Sequence, residues 1–165
     1  MCFDGWVELA RSGDLRIAFV GELSSGKSTL AKALIPDLLE TAEGNRNDIE
    51  KADVVFAVHN FSQKPSVNGV AFGKILASCR CPIIAVTTHG DLMDGCLIQV
   101  ASRCLRGSIR RCVKKDVPTY VVSARLWLLS KMEEKVHRTV AAKCFREASG
   151  LVPVLRQIER IRWWK

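Results

Sequence analysis

The sequence predicts an α/β protein of three layers, in which a mostly parallel sheet of about four strands is covered on both faces by helices. Three observations lead there. Four short β-rich runs, at 15–20, 53–58, 82–87 and 119–122, are mainly apolar and continuous rather than alternating, as strands buried on both faces are. Helical or loop-forming stretches separate the runs, so each step between strands is a crossover, and right-handed crossovers favour a spatial order that follows the chain. The 165 residues, 48% hydrophobic and 25% charged, are enough for one buried core and exclude a disordered or fibrous chain. Residues 1–150 are expected to form the domain, and 151–165 a basic amphipathic helix packed on it or extending from it.

The first strand, with Leu15, Ile17, Phe19 and Val20, stops at Gly21. Leu30, Ala33, Leu34 and Leu38 then recur at helical spacing until 41–44, with Pro36 as a kink. The second and third strands enclose the segment 67–77. Leu97, Val100, Ala101, Cys104, Leu105, Ser108, Ile109, Cys112 and Val113 follow at steps of three and four, which predicts a long amphipathic helix with Cys104 and Cys112 as small buried hydrophobes. Its other face carries Arg103, Arg106, Arg110, Arg111, Lys114 and Lys115. After the fourth strand, Ser130-Lys131-Met132-Glu133 fits a capping box that opens a helix with a stripe of Met132, Val136, Val140, Cys144 and Phe145. Gly150 stops it. Pro153 begins a last helix with Leu151, Val154, Leu155, Ile158 and Ile161 on one side, ending in Trp163-Trp164.

Between the first strand and the first helix, Gly21-Glu22-Leu23-Ser24-Ser25-Gly26-Lys27-Ser28 matches G-x-x-x-x-G-K-[ST] in full, in the strand-loop-helix setting that the motif needs. The glycines permit a tight loop whose N–H groups surround phosphate oxygens, and the helix that begins there, with Thr29 in its first turn, adds its positive end. Lys27 supplies a point charge to the β- and γ-phosphates, and the Ser28 hydroxyl is the expected Mg²⁺ ligand. Thr87-Thr88-His89-Gly90-Asp91 follows the third strand and Ser123-Ala124 follows the fourth, both where strand ends meet a ligand. A carboxylate at Asp91 accepts from both N1–H and the exocyclic amine of guanine, a donor pair that adenine lacks. The Ala124 N–H is placed to reach the guanine carbonyl oxygen.

On these motifs the chain resembles the translation-factor-like class of P-loop GTPases over roughly residues 15–150. The loop 21–30 is similar to that of dynamin-related GTPases, and Thr88-His89-Gly90-Asp91 to the base motif of the GTPases of immunity-associated proteins. His89 stands where the family has a lysine. The resemblance implies a reduced three-layer P-loop fold, GTP or GDP with Mg²⁺ as ligand, phosphate contacts from 21–29, and base contacts from Thr88, His89, Asp91, Ser123 and Ala124. The family's switch threonine and Asp-x-x-Gly motif have no counterpart in 41–51, so slow or absent hydrolysis is expected and no catalytic residue is assigned. Asn60 and Gln63 are the weak substitutes for orienting a water. With the family's two further strands missing, the first strand is expected at a sheet edge, open to a partner.

Charge is uneven: residues 1–94 hold 9 Lys/Arg against 12 Asp/Glu, while 95–165 hold 16 against 5. A protein partner for this basic half is favoured over peripheral contact with an anionic membrane, and nucleic acid is not expected. The seven cysteines are odd in number and lack zinc spacing, which fits reduced thiols. The N-terminal residues have no signal-peptide pattern and no apolar run is long enough to cross a bilayer, so a cytoplasmic protein is expected. Two other readings stand beside the guanine-nucleotide one: a small P-loop kinase or ATPase with Asp91 at a metal, and an interaction module that binds no nucleotide.

Overall fold

In the computed structural model, which describes residues 7–35, 37–38, 41–60 and 69–163, the chain opens with a hairpin of β1 (Val7–Ser12) and β2 (Leu15–Val20). Gly13, at φ +60°, makes the turn with Asp14, as two-residue hairpin loops require of their first central residue. β2 then pairs in parallel with β4 (Val54–Asn60), β4 with β5 (Ile83–Thr88), and β5 with β6 (Thr119–Val121). On the far side of β1 lies β3 (Ala42–Glu43), antiparallel to it. The complete order is β3-β1-β2-β4-β5-β6. Asp53 pins the β2–β4 register: its Oδ2 accepts from the Arg16 N–H at 2.7 Å, and its own N–H donates to the Arg16 carbonyl at 2.8 Å.

Helices cover both faces. On one lie α1 (Lys27–Leu34), α5 (Ala124–Lys135) and α7 (Leu151–Trp163), whose Leu30, Leu34, Trp127, Leu151, Val154 and Ile158 pack with Ile17, Phe19 and Phe56 of the sheet. The Phe19 and Phe56 rings stack at 5.1 Å. On the other lie α2 (Arg46–Glu50), α3 (Gly69–Ser78) and α4 (Gly95–Val113), with Ile49, Ile75, Leu76, Leu105 and Ile109 against Ala18, Val55, Ala57 and Ala85. The short α6 (Thr139–Ala148) stands between α5 and α7. This is the three-layer α/β architecture that the continuous apolar runs predict. No helix among the described residues is long and apolar enough to cross a membrane.

The four predicted strands hold, and in the predicted order, but the sheet has six strands and its first predicted strand is not an edge. β1 covers it, and the outermost strand on that side is only two residues long, a short edge that offers little to a partner. The first helix ends at Leu34 rather than near 38, with Ile35 already extended at φ −121°; the residue before a proline is driven out of the helical region. The predicted kink at Pro36 lies outside the described residues. α7 begins at Leu151, so Pro153 falls inside its first turn, where a missing N–H costs nothing.

Three sequence readings around the helices are corrected. α4 buries only Ala101, Leu105 and Ile109, and Cys104 and Cys112 are exposed along with Leu97 and Val100: contact with the sheet at steps of four makes the covered stripe narrow. Ser130 caps nothing, because α5 starts at Ala124 with Ser123 as its N-cap, and the Ser130 hydroxyl donates to the Trp127 carbonyl within the helix. The stripe from Met132 to Phe145 is broken by His137 in the left-handed region, which separates α5 from α6 and leaves Met132, Val136 and Val140 exposed. Trp163 is 89% exposed and caps no core.

Candidate functional site

The loop from β2 into α1 is shaped by contacts that only glycine tolerates at Gly21. A Cβ there would lie 2.2 Å from the Val58 carbonyl oxygen and 2.8 Å from Ser25 Oγ. The Ser25 N–H closes a turn on the Glu22 carbonyl at 3.1 Å, Ser24 is left-handed at φ 59°, and Gly26, at φ +88°, is the N-cap of α1. Leu23, Ser24, Ser28 and Thr29 are exposed, Glu22 is half-buried, and Ser25 is buried beneath the loop, its hydroxyl without a partner among the described residues. Lys27, the first residue of α1, is 3% exposed and curls back over the loop, donating from Nζ to the carbonyls of Gly21 at 3.1 Å and Glu22 at 2.8 Å. Burial pulls its pKa below the usual lysine value, against the charge of Glu8, which raises it.

β5 and β6 bring their carboxyl ends to the same place. Thr88 Oγ1 donates to the Ser25 carbonyl at 2.7 Å and, more weakly, to that of His59 at 3.3 Å, so the buried Thr88 side chain clasps the loop and does not face outward. His89 is left-handed at φ 63° and leads into a 3-10 turn over Gly90–Leu92, with the Gly90 N–H on the Val122 carbonyl at 2.9 Å. Ser123, 1% exposed, accepts from the Leu126 N–H at 3.1 Å and donates its own N–H to the Ser149 carbonyl at 2.8 Å. Its side chain is therefore a helix cap. Ala124 opens α5, where amides have no carbonyl within the helix to bond. A cavity of about 250 Å³ lies between these segments, lined by Gly26 of the loop and Thr29 in the first turn of α1, by Thr88 at the end of β5 with His89 and Asp91 after it, and by Ala124 and Arg125 after β6.

The structure thus gathers Gly26, Thr29, Thr88, His89, Asp91 and Ala124 around one opening, with Lys27 inside the loop and Ser123 beneath it. Ser28 faces elsewhere: its hydroxyl donates to Glu8 Oε1 at 2.9 Å, while Thr41 donates to Glu8 Oε2 at 2.8 Å. Glu8 and Thr41 escaped the sequence reading because neither stands in a motif. Arg125 did also, although its place beside Ala124 was a signal. Asn60, 7% exposed, donates from Nδ2 to the Ser24 carbonyl at 3.4 Å; Gln63 lies outside the described residues. His59 is held below the usual histidine pKa by burial, against the charge of Glu22.

Among the described residues no group of three or more His, Cys, Asp or Glu side chains could hold a metal by itself. The oxygens of Ser28 and Glu8 suit a hard cation such as Mg²⁺, which takes one or two protein ligands and completes its shell with phosphate and water. The six described cysteines are free thiols. Burial pushes the Cys79 thiol up to about 12, far from a reactive thiolate.

No protein-family model matches this chain, and no curated protein sequence does. Among solved structures, the chain is similar to translation elongation factor SelB from Methanococcus maripaludis in its apo form, with a TM-score of 0.52 at 18% identity over 73% of this chain. It spans 32% of that structure. At this identity the likeness is one of fold.

Proposed function

We propose that this chain binds the guanine nucleotides GTP and GDP, together with Mg²⁺, at the opening between the β2–α1 loop and the segments after β5 and β6. The observation that carries the reading is that Gly26, from a loop matching G-x-x-x-x-G-K-[ST] in full, and Asp91 line one cavity at the carboxyl ends of parallel strands, where such folds bind ligands. Phosphates would displace the Lys27 ammonium from the Gly21 and Glu22 carbonyls and take its charge. The loop amides and the start of α1 would add their dipoles. Asp91 reads the guanine edge, Ala124 offers its amide to the carbonyl oxygen, and Thr88 and Ser123 serve by holding the two loops in place. Bound beside Ser28, Mg²⁺ supplies charge neutralisation between the phosphates.

Hydrolysis is slow or absent in this reading, because Asn60, the described side chain nearest in type to a water-orienting amide, is engaged with the loop. The cationic side of α4 fits an acidic protein surface: Arg103, Arg110 and Arg111 are exposed on the helix, and Lys114 and Lys115, expected on the same face, are exposed just past its end because Lys114 turns left-handed at φ 55°, while Arg106 is held bidentate by Asp116 at 3.0 and 2.5 Å.

Equilibrium titration with GDP, GTP, ADP and ATP, each with Mg²⁺ and with EDTA, tests the proposal. Guanine nucleotides should bind and adenine nucleotides should bind much more weakly. Equal affinity for both bases would favour a P-loop kinase or ATPase. Silence toward all four would favour an interaction module, a reading to which the self-satisfied Lys27 and the Glu8–Ser28 contact lend support.

A further inference from the structure

We infer that Glu8 is a metal ligand: its Oε1 and the Ser28 hydroxyl take adjacent positions on the Mg²⁺ that accompanies a bound nucleoside diphosphate, and Thr41 is the positioning residue that holds the carboxylate. This rests on the nucleotide reading above. It begins with the hairpin. Because β1 runs antiparallel to β2, its first residues lie beside the last residues of β2, with Val7 opposite Val20 and Glu8 opposite Phe19. Glu8 therefore sits at the mouth of the phosphate loop, on the sheet face that carries α1. Its neighbour on that face, Ala10, is in the core. Glu8 itself is half-buried there.

Both oxygens are satisfied, by different segments. Ser28 Oγ stands 2.9 Å from Oε1 and Thr41 Oγ1 stands 2.8 Å from Oε2. In an octahedron with ligands at about 2.0–2.1 Å, neighbouring oxygens are about 2.9 Å apart, so the Ser28–Glu8 pair already has the spacing of one octahedral edge. A cation there would take the place of the Ser28 hydrogen between the two oxygens. Thr41, just ahead of β3, fixes the other oxygen, as groups bonded to a ligating carboxylate generally do. Charge gives the arrangement its consequence. Glu8 is bonded to Ser28, the residue after Lys27, hence close to where phosphates would lie. Without a cation it repels them; with one it joins them.

The test compares wild type with Glu8→Gln, Glu8→Asp and Thr41→Val, reading GDP affinity by calorimetry in Mg²⁺ and in EDTA, and Mn²⁺ binding to the GDP complex by electron paramagnetic resonance. Thermal melts verify that each variant is folded. Glu8→Gln should bind GDP better than wild type in EDTA and worse in Mg²⁺, and its Mn²⁺ affinity should fall about 10–100-fold. Thr41→Val should lower Mn²⁺ affinity less, and Glu8→Asp should fall between wild type and Glu8→Gln. If Glu8→Gln raises GDP affinity equally in Mg²⁺ and EDTA, or leaves Mn²⁺ affinity unchanged, Glu8 only screens the loop and the inference is wrong while nucleotide binding stands. If wild type binds no GDP in either condition, the nucleotide reading fails and this inference with it.

Discussion

Lys27 is the residue on which the proposed chemistry turns, and its surroundings set two expectations. Lys27→Ala removes a charge-assisted contact worth about 1.5–3 kcal/mol, so GDP and GTP should bind about ten- to a hundredfold more weakly. The fold should survive, since a buried ammonium bonded to loop carbonyls is removed; calorimetry and a thermal melt check both. The second expectation concerns pH. In the free protein burial lowers the Lys27 pKa, and bound phosphates would raise it again. Affinity should thus be constant at low pH and fall as pH rises from the lowered free value toward the higher value of the complex, earlier than an ordinary lysine would allow; titrations at stepped pH measure it. A profile unchanged by Lys27→Ala would assign the dependence to another group. Asp91→Asn should weaken guanine nucleotides selectively, because one acceptor of the paired contact becomes a donor. Competition between GTP and XTP reads this directly, with the asparagine variant turning toward xanthine.

At the scale of elements, the left-handed glycines separate two kinds of turn. Gly13 has open space where a Cβ would go, whereas a Cβ on Gly150, at φ +68°, would meet the Val121 carbonyl oxygen at 2.4 Å. Gly13→Ala should therefore cost only the backbone strain, about 1 kcal/mol, and Gly150→Ala distinctly more, because the α6–α7 joint must also move away from β6. Urea unfolding ranks them, and equal losses would contradict this account. The α4 face carries its own test. Arg110→Glu with Arg111→Glu should weaken binding to a polyglutamate peptide and leave the melting temperature nearly unchanged, because these side chains are exposed and Arg106–Asp116 is left intact. Unchanged peptide binding would return α4 to a solvated face, and selective loss of binding to phosphatidylserine vesicles would favour a membrane instead.

For the whole molecule, a ligand that binds only the folded state stabilises it. GDP at about 100 times its dissociation constant should add about 2.7 kcal/mol, or on the order of 5–10 °C in melting temperature, and ADP at the same concentration much less. Much of the frame behind that prediction was legible in the amino acids. Continuous apolar runs announced β2, β4, β5 and β6, and Gly21, Gly26, Lys27 and Ser28 announced the loop, because burial on both faces and a tight phosphate turn each impose local patterns. The β1–β2 hairpin had a signal in Gly13-Asp14 between Leu9 and Leu15, a glycine-led pair between apolar segments. The α5 start had one in Ser123, which the later Ser130 obscured. Other features had no local signal. Glu8 reaches Ser28 and Thr41 across 20 and 33 residues of chain, and that meeting exists only because the hairpin reverses β1 and β3 pairs beyond it. Four strands and the phosphate loop could be read from the amino acids because each is a pattern within a few neighbouring residues. Which carboxylate stands at the loop could not, since strand direction and lateral pairing are properties of the assembled sheet.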